Sequence, residues 1–394
     1  MAGSFPDRPR TPELRSRVYA KDTIVAGPHV RFDVGGFAEG LLAGSDGADR
    51  DGVAEFDEAS VQITVSRLDV LAGFTRAVWG RLDEIQPGDV VNPLDISKFF
   101  FESREAARMA VGLVRARVHL TESATIEVVA VPRFRKGRFD RLDEQSSPFN
   151  PTRLALTVQL ERPSGDVWEQ MQGGGRVSAS SGRVDWSVGA YRGFRPLPAY
   201  TLSYVPRGLP AAPVVAILIS GTYPEYTMVS GDFETAFSRW TLRGEAVFSD
   251  DKGIQALLSP VTASGRTVQA GLGADRSIAG YRVLGELVWH QTEIDTPSLP
   301  IDPLTAGPPR FDRRSLTAVG IVERQFARET RYIRGFGIYD GVNKNGIARA
   351  VGAFSPREGL WVEGTAVWFS GRRAGFVAPF VDDDFLSVRV IQRF

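Results

Sequence analysis

Apolar and polar residues alternate along most of this chain with a period of two, the spacing of β-strands rather than of helices. Between Gly280 and Gln291, Tyr281, Val283, Leu287 and Trp289 share one face around Gly285. Arg282, Glu286 and His290 share the other, with Leu284 and Val288. From Arg239 to Ser249, Trp240, Leu242, Gly244, Ala246 and Phe248 oppose Arg239, Thr241, Arg243, Glu245 and Val247. From His29 to Leu42, Val30, Phe32, Val34, Ala38 and Leu42 oppose Arg31, Asp33 and Glu39. Leu360, Val362, Ala366 and Trp368 form a like stripe opposite Glu363 and Thr365. In each segment one face suits hydrocarbon and the other carries charges of both signs.

A soluble sandwich alternates too. Length separates the two architectures: these segments run ~10–14 residues, against ~5–6 for soluble strands and ~9–11 for a tilted membrane crossing. Trp79, Tyr191, Trp240, Phe248, Trp289, Tyr339 and Trp368 fall toward segment ends, where an interfacial girdle would need them. Tight connections are expected at Ser66–Asp69, Thr121–Ser123, Ser181–Arg183, Ser238–Arg239, Arg276–Ala279, Ala327–Arg331 and Ser355–Glu358. Longer ones alternate with them, among them Gly80–Ala106, Arg135–Val167 and Phe194–Pro224. Short periplasmic turns opposite long extracellular loops mark outer-membrane barrels. The pattern predicts an all-β fold: a closed antiparallel transmembrane β-barrel of about 16 strands (14–18), with both termini on the periplasmic side. Residues 1–27 are read as an N-terminal periplasmic segment and 28–394 as the barrel. Glu13 to Ala20 is either an extra strand or an extension of the first barrel strand. Leu386, Val388, Val390 and Phe394 alternate with Ser387, Arg389 and Arg393. Such a last strand, ending on an aromatic, is the form the barrel assembly machinery reads; Gln392 departs from it.

Composition removes other classes. Lys+Arg and Asp+Glu are both 47, so no basic field exists for nucleic acid. Cysteine is absent, which excludes disulfide scaffolds, thiolate zinc sites and Cys nucleophiles. His29, His119 and His290 are the only histidines, too few for a multi-His metal centre unless all converge. No apolar run reaches the ~20 residues of a transmembrane helix. The start lacks an apolar signal core, which fits a cytoplasmic protein or a processed chain with a new Met. Arginine outnumbers lysine 42 to 5; lipid phosphates, acidic cargo or plain codon usage would each produce that bias.

Trp79-Gly80-Arg81-Leu82-Asp83, followed by Pro87-Gly88-Asp89 and Asn92-Pro93-Leu94-Asp95, resembles a signature of uncharacterised porin-like outer-membrane barrels of Gram-negative bacteria. Gly174-Gly175-Arg176-Val177 through Asp185-Trp186-Ser187 to Arg195-Pro196-Leu197-Pro198 is also similar, as is Gly231-Asp232-Phe233-Glu234 to Glu245. The resemblance implies a barrel in the outer membrane and is silent on cargo. It also implies that residues 80–106 fold into the lumen as a constriction, through Arg81, Asp83, Asp89, Asp95, Lys98, Phe99, Phe100 and Phe101. The alternative is a surface loop whose phenylalanines pack on the rim. Asp95 could cap a short helix from Ile96.

Strand phase points Arg115, Arg117, His119, Asp232, Glu234, Arg243, Glu245, Arg282 and Glu286 toward the lumen. A base at mid-depth on the lipid face costs ~2–4 kcal/mol. Their signs are mixed, so they either meet solute or pair across strands. Enzyme motifs are lacking: no Gly-x-Ser-x-Gly fixes a nucleophile for His119 or His290. Gly173-Gly174-Gly175 has no phosphate-loop partner. Asp382-Asp383-Asp384 suits calcium or a solvated loop. The sequence therefore predicts a non-enzymatic porin-like channel or transport component for a small solute or lipid-like cargo. It needs no cofactor or metal, binds no nucleic acid, and has outer-membrane lipid and the assembly machinery as partners. A plugged structural or adhesive barrel, and an outer-membrane enzyme, are the alternatives.

Overall fold

A computed structural model describes residues 13–43, 49–99, 103–138, 157–161, 163, 166–207, 214–256, 259–295, 301–302, 306–371 and 384–393. In chain order the strands are β1 (Glu13–Ala26), β2 (Val30–Ala43), β3 (Asp49–Val65), β4 (Leu68–Thr75), β5 (Val111–His119), β6 (Ala124–Val131), β7 (Thr157–Glu161), β8 (Gln172–Ser181), β9 (Val184–Phe194) and β10 (Ala199–Arg207). They continue as β11 (Val214–Thr222), β12 (Glu225–Phe237), β13 (Trp240–Gln255), β14 (Thr262–Ile278), β15 (Tyr281–Ile294), β16 (Arg314–Phe326), β17 (Arg331–Asp340), β18 (Asn345–Arg357), β19 (Leu360–Gly371) and β20 (Phe385–Gln392). Two single-turn helices, α1 (Ile96–Phe99) and α2 (Arg104–Ala107), lie between β4 and β5.

Seventeen strands form one sheet. Each pairs antiparallel with the next, β7, β10 and β11 being set aside in a separate three-stranded sheet. The described sheet has one strand more than 16, within the expected 14–18, because it begins before residue 28. β1 pairs with β2 along its whole length, from Glu13↔Ala43 to Ala26↔Val30. Its alternating Arg17, Tyr19 and Lys21 find partners on β2 and β3, which draws the segment into the sheet.

Connections alternate as the pattern predicted. Residues 27–29, 66–67, 120–123, 182–183, 238–239, 279–280, 327–330 and 358–359 turn tightly at one end. The other end carries every longer excursion, including 76–110, 132–171 and 195–224. Two-residue turns need positive φ, which Ser66 (55°), Ser238 (59°) and Gly280 (80°) adopt.

The two faces differ sharply. On β15, Leu287 and Trp289 are 49% and 39% exposed, while Leu284, Glu286 and Val288 are 2%, 4% and 4% exposed. The outward apolar face recurs on every described strand of the large sheet from β1 to β20, through residues such as Val18, Phe32, Val128, Leu272, Trp368 and Val388. Trp79 and Tyr191 do not belong to it. Both are 2% exposed and meet edge-on at 5.9 Å inside the sheet, so the expected girdle loses these two. Trp240, Phe248, Trp289, Tyr339 and Trp368 do face outward.

A bulge sits between Gly35 and Gly36, opposite Asp57. An extra residue resets strand phase. Glu55, Asp57 and Glu58 consequently all reach the inner side, where they meet Arg135, Arg76 and Lys21. Period two alone could not place those three acids together.

Candidate functional site

The segment between β4 and β5 runs through the interior of the sheet. Arg76 is paired with Asp57 on β3, and Glu84 with Arg334 on β17 (2.5 Å). Nine extended residues reach at most about 30 Å. A flat sheet from β3 to β17 would measure more than ~50 Å. The sheet therefore curls around the segment, and the residues of 76–95 that the sequence could equally have left on the rim are inside. Val91, Asn92 and Asp95 are 3%, 3% and 1% exposed.

Its neck is tied by the Asn-Pro turn. Asn92 Oδ1 accepts from the Ala77 N–H (2.8 Å), and Asn92 Nδ2 donates to the carbonyls of Thr75 (3.2 Å) and Met109 (2.8 Å). One side chain thus joins both ends of the connection, while the Pro93 carbonyl accepts from Met109 N–H. Trp79 follows. Its Nε1 donates to Glu127 on β6 (2.7 Å), and Arg176 lies over its ring. Arg115, Arg117 and Arg176 gather on the same Glu127 carboxylate, at 3.9 Å and 3.1 Å for Arg115 and Arg176.

The next residues meet two wall carboxylates. Glu245 on β13 accepts from the backbone N–H groups of Arg81, Leu82 (2.6 Å) and Gly88 (3.1 Å). Glu286 on β15 accepts from Asp83 (2.5 Å), Glu84 (3.2 Å) and Ile85 (3.2 Å). Successive N–H groups make a concave nest that suits an anion, and a carboxylate can accept about four bonds. Among the described residues neither Glu245 nor Glu286 has a basic side chain at ion-pair distance. The segment's own backbone is their counterpart. Gly80 permits this with φ of 89°, and a Cβ there would stand 2.7 Å from Glu245 Oε1. Leu82 lies over Gly271 and Gly273 of β14, where added Cβ atoms would stand 2.6 and 2.9 Å from its methyls.

Side-chain pairs fix the flanks. Arg81 bonds Asp232 on β12 (2.6 Å). Asp83 accepts from Arg243 (3.1 Å) and Arg282 (2.9 Å). Arg243 also holds Glu234 (2.8 Å) and Asp275 (2.5 Å), and Arg282 holds Glu323 (3.2 Å). Ile85 packs on Leu284, Val319, Ile321 and Phe336. On the return, Asp89 accepts from Arg108 (2.6 Å). Arg104 caps the carbonyls of Glu84 and Gln86; burial pushes its guanidinium below the ordinary value, and Asp89 opposes that shift.

The structure thus brings together Arg81, Asp83, Asp89, Asp232, Glu234, Arg243, Glu245, Arg282 and Glu286, with Arg115 and Arg117 joined through Glu127 and Trp79. Asp95 and Lys98 stand apart. Asp95 pairs with Arg138 (3.2 Å), and Lys98 lies 4.7 Å from the Phe37 ring. His119 sits at the tight-turn end, between Asp69 (2.8 Å) and Thr125 (3.1 Å). Phe99 closes α1, and Phe100, Phe101 and Phe394 lie outside the described residues. α1 begins at Ile96, directly after Asp95. Glu127, Asp275, Glu323 and Arg334 were not singled out from sequence, although each occupies an inward phase of its strand.

No family model matches the chain, and no curated relative matches it. Among solved structures it is similar to an anion-selective porin from Comamonas acidovorans, at 11% identity and a TM-score of 0.41, covering 95% of this chain and 84% of that one. It is also similar to Acinetobacter baumannii OccAB4, at 7% identity and 0.48, covering 96% and 90%. The likeness to Pseudomonas aeruginosa OccD3 is 7% identity and 0.46, covering 97% and 87%.

Proposed function

We propose that this chain closes into a β-barrel in the outer membrane and acts as a channel, not an enzyme, with residues 80–106 narrowing the path of a small solute or lipid-like cargo. The observation that carries this reading is the inverted distribution of polarity. Strand after strand presents exposed Leu, Val, Phe and Trp outward, while charged residues such as Glu127, Glu245 and Glu286 are almost fully buried on the inner side. An apolar surface of that extent has lipid as its natural neighbour. Hydrocarbon admits only helices and closed barrels, because every backbone group must be bonded. No described helix is long and apolar enough to cross a membrane. Outer-membrane lipid and the barrel assembly machinery are the partners this reading implies.

Close packing of Trp79, Leu82 and Val91 in the interior favours one alternative, a plugged barrel with a structural role. Planar-bilayer recording separates the two. The channel reading expects stepwise conductance from protein that shows heat-modifiable migration. A correctly folded protein that never conducts would leave the plugged barrel.

A further inference from the structure

The outward face is apolar along most of its length, but near the tight turns of β14–β17 it carries three arginines. Strand phase puts them there. Asp275, Glu323 and Arg334 point inward, to Arg243, Arg282 and Glu84. Arg276 and Arg324 each follow one of those acids and so point outward, as does Arg331, which precedes Arg334 by three residues. Their neighbours agree. Arg276 lies 5.4 Å from the ring centroid of Trp240, which is exposed on the outward face, and Arg324 lies 4.7 Å from that of Tyr281. Arg331 is exposed. Among the described residues none of the three has an acidic side chain at ion-pair distance. Glu329 is the one acid in the two turns that join β14 to β15 and β16 to β17. On β9 and β13, at the long-loop end, the outward bases Arg192 and Lys252 do stand beside acids, Glu225 (3.2 Å) and Asp250 (3.9 Å).

We propose that Arg276, Arg324 and Arg331 bind the phosphate of an anionic phospholipid in the periplasmic leaflet. This rests on the outer-membrane reading above and adds a ligand and its place on the wall. Tight turns mark the periplasmic end of such barrels, so the patch meets the headgroup layer there. A guanidinium whose face rests on a ring keeps its N–H edge free, and that planar edge matches phosphate oxygens. Trp240 and Tyr281 thus steady two of the three forks at the interface, where amphipathic rings belong. From β14 to β17 is three strand spacings, roughly 15 Å, so one or two headgroups cover the patch. Toward mid-membrane the same strands expose Leu272, Leu287 and Val322, an apolar surface for the acyl chains.

The experiment inserts the protein into vesicles of equimolar phosphatidylglycerol and phosphatidylcholine, releases it in mild detergent and weighs the retained lipid by native mass spectrometry. Both lipids carry a phosphate, but only the first is anionic. The parent should retain phosphatidylglycerol in preference. Arg276→Gln, Arg324→Gln and Arg331→Gln should each lower that preference about fivefold, the effect of one base near an anionic surface. Arg192→Gln, at the other end of the wall, should leave it unchanged. Heat-modifiable migration shows which variants are folded. Equal retention of the two lipids by folded parent, or a preference that the three substitutions leave intact or that Arg192→Gln lowers as much, would overturn the site. Displacement of the lipid by inorganic phosphate at constant ionic strength would assign the patch to free phosphate and overturn it too. A protein that does not enter vesicles would instead remove the membrane reading beneath the proposal.

Discussion

Glu245 and Glu286 show how much a single carboxylate can organise when its partners are backbone groups. Hydrogen bonds to a charged group contribute about 1.5–3 kcal/mol each, and a glutamine offers one acceptor oxygen and no charge. Glu286→Gln should keep the barrel folded but loosen residues 83–85 by about 2–3 kcal/mol. Limited trypsin digestion of the folded protein reads this as new cleavage at Arg81 or Arg104; unchanged resistance would show that the flanking arginine pairs hold the segment without Glu286. The seat of Leu82 gives a second test. Gly271→Val would force a side chain into its methyl and should destabilise by ~1–3 kcal/mol. Adding Leu82→Ala should restore much of that loss, measured as the temperature of the heat-modifiable shift, since the two side chains compete for one space.

At the scale of the element, phase along a strand decides which solvent a residue meets. Leu287→Arg would place a base on the outward face of β15 and should cost ~2–4 kcal/mol, seen as a lower yield of folded protein in detergent. Phase of this kind is legible in the sequence, because alternation over long segments is a strong signal. Spacing alone places Arg243, Glu245, Arg282 and Glu286 on one inner surface. The three-acid side of β3 is not legible, because the bulge at Asp57 breaks the period on which such a reading depends. Trp79 and Tyr191 mislead for a related reason. An aromatic near a strand end has the same sequence appearance whether it faces lipid or an interior segment. Nor can periodicity show that the Asn92 amide joins Thr75, Ala77 and Met109, since a neck is a contact in space. The tight turns, by contrast, are chemically local and stand close to where their residues predict them.

For the whole molecule, the anchors of the inner segment are remote in sequence. Leu82 reaches Glu245 across 163 positions, and Asp83 reaches Glu286 across 203. Contacts that close such long intervals form late, because chain entropy must be surrendered before they can reward it. The neck at Asn92 is local to β4 and β5, so the segment can be hinged early while its far end waits. A wall growing from β1 toward β20 would carry that segment loose until β13 and β15 arrive. The inner segment is thus among the last parts to become ordered, and an assembly arrested before β15 would lack the carboxylate that seats residues 83–85. In the channel proposed above, such an intermediate would be an unguarded opening, and quality control over it would protect the cell's permeability barrier as much as the protein itself.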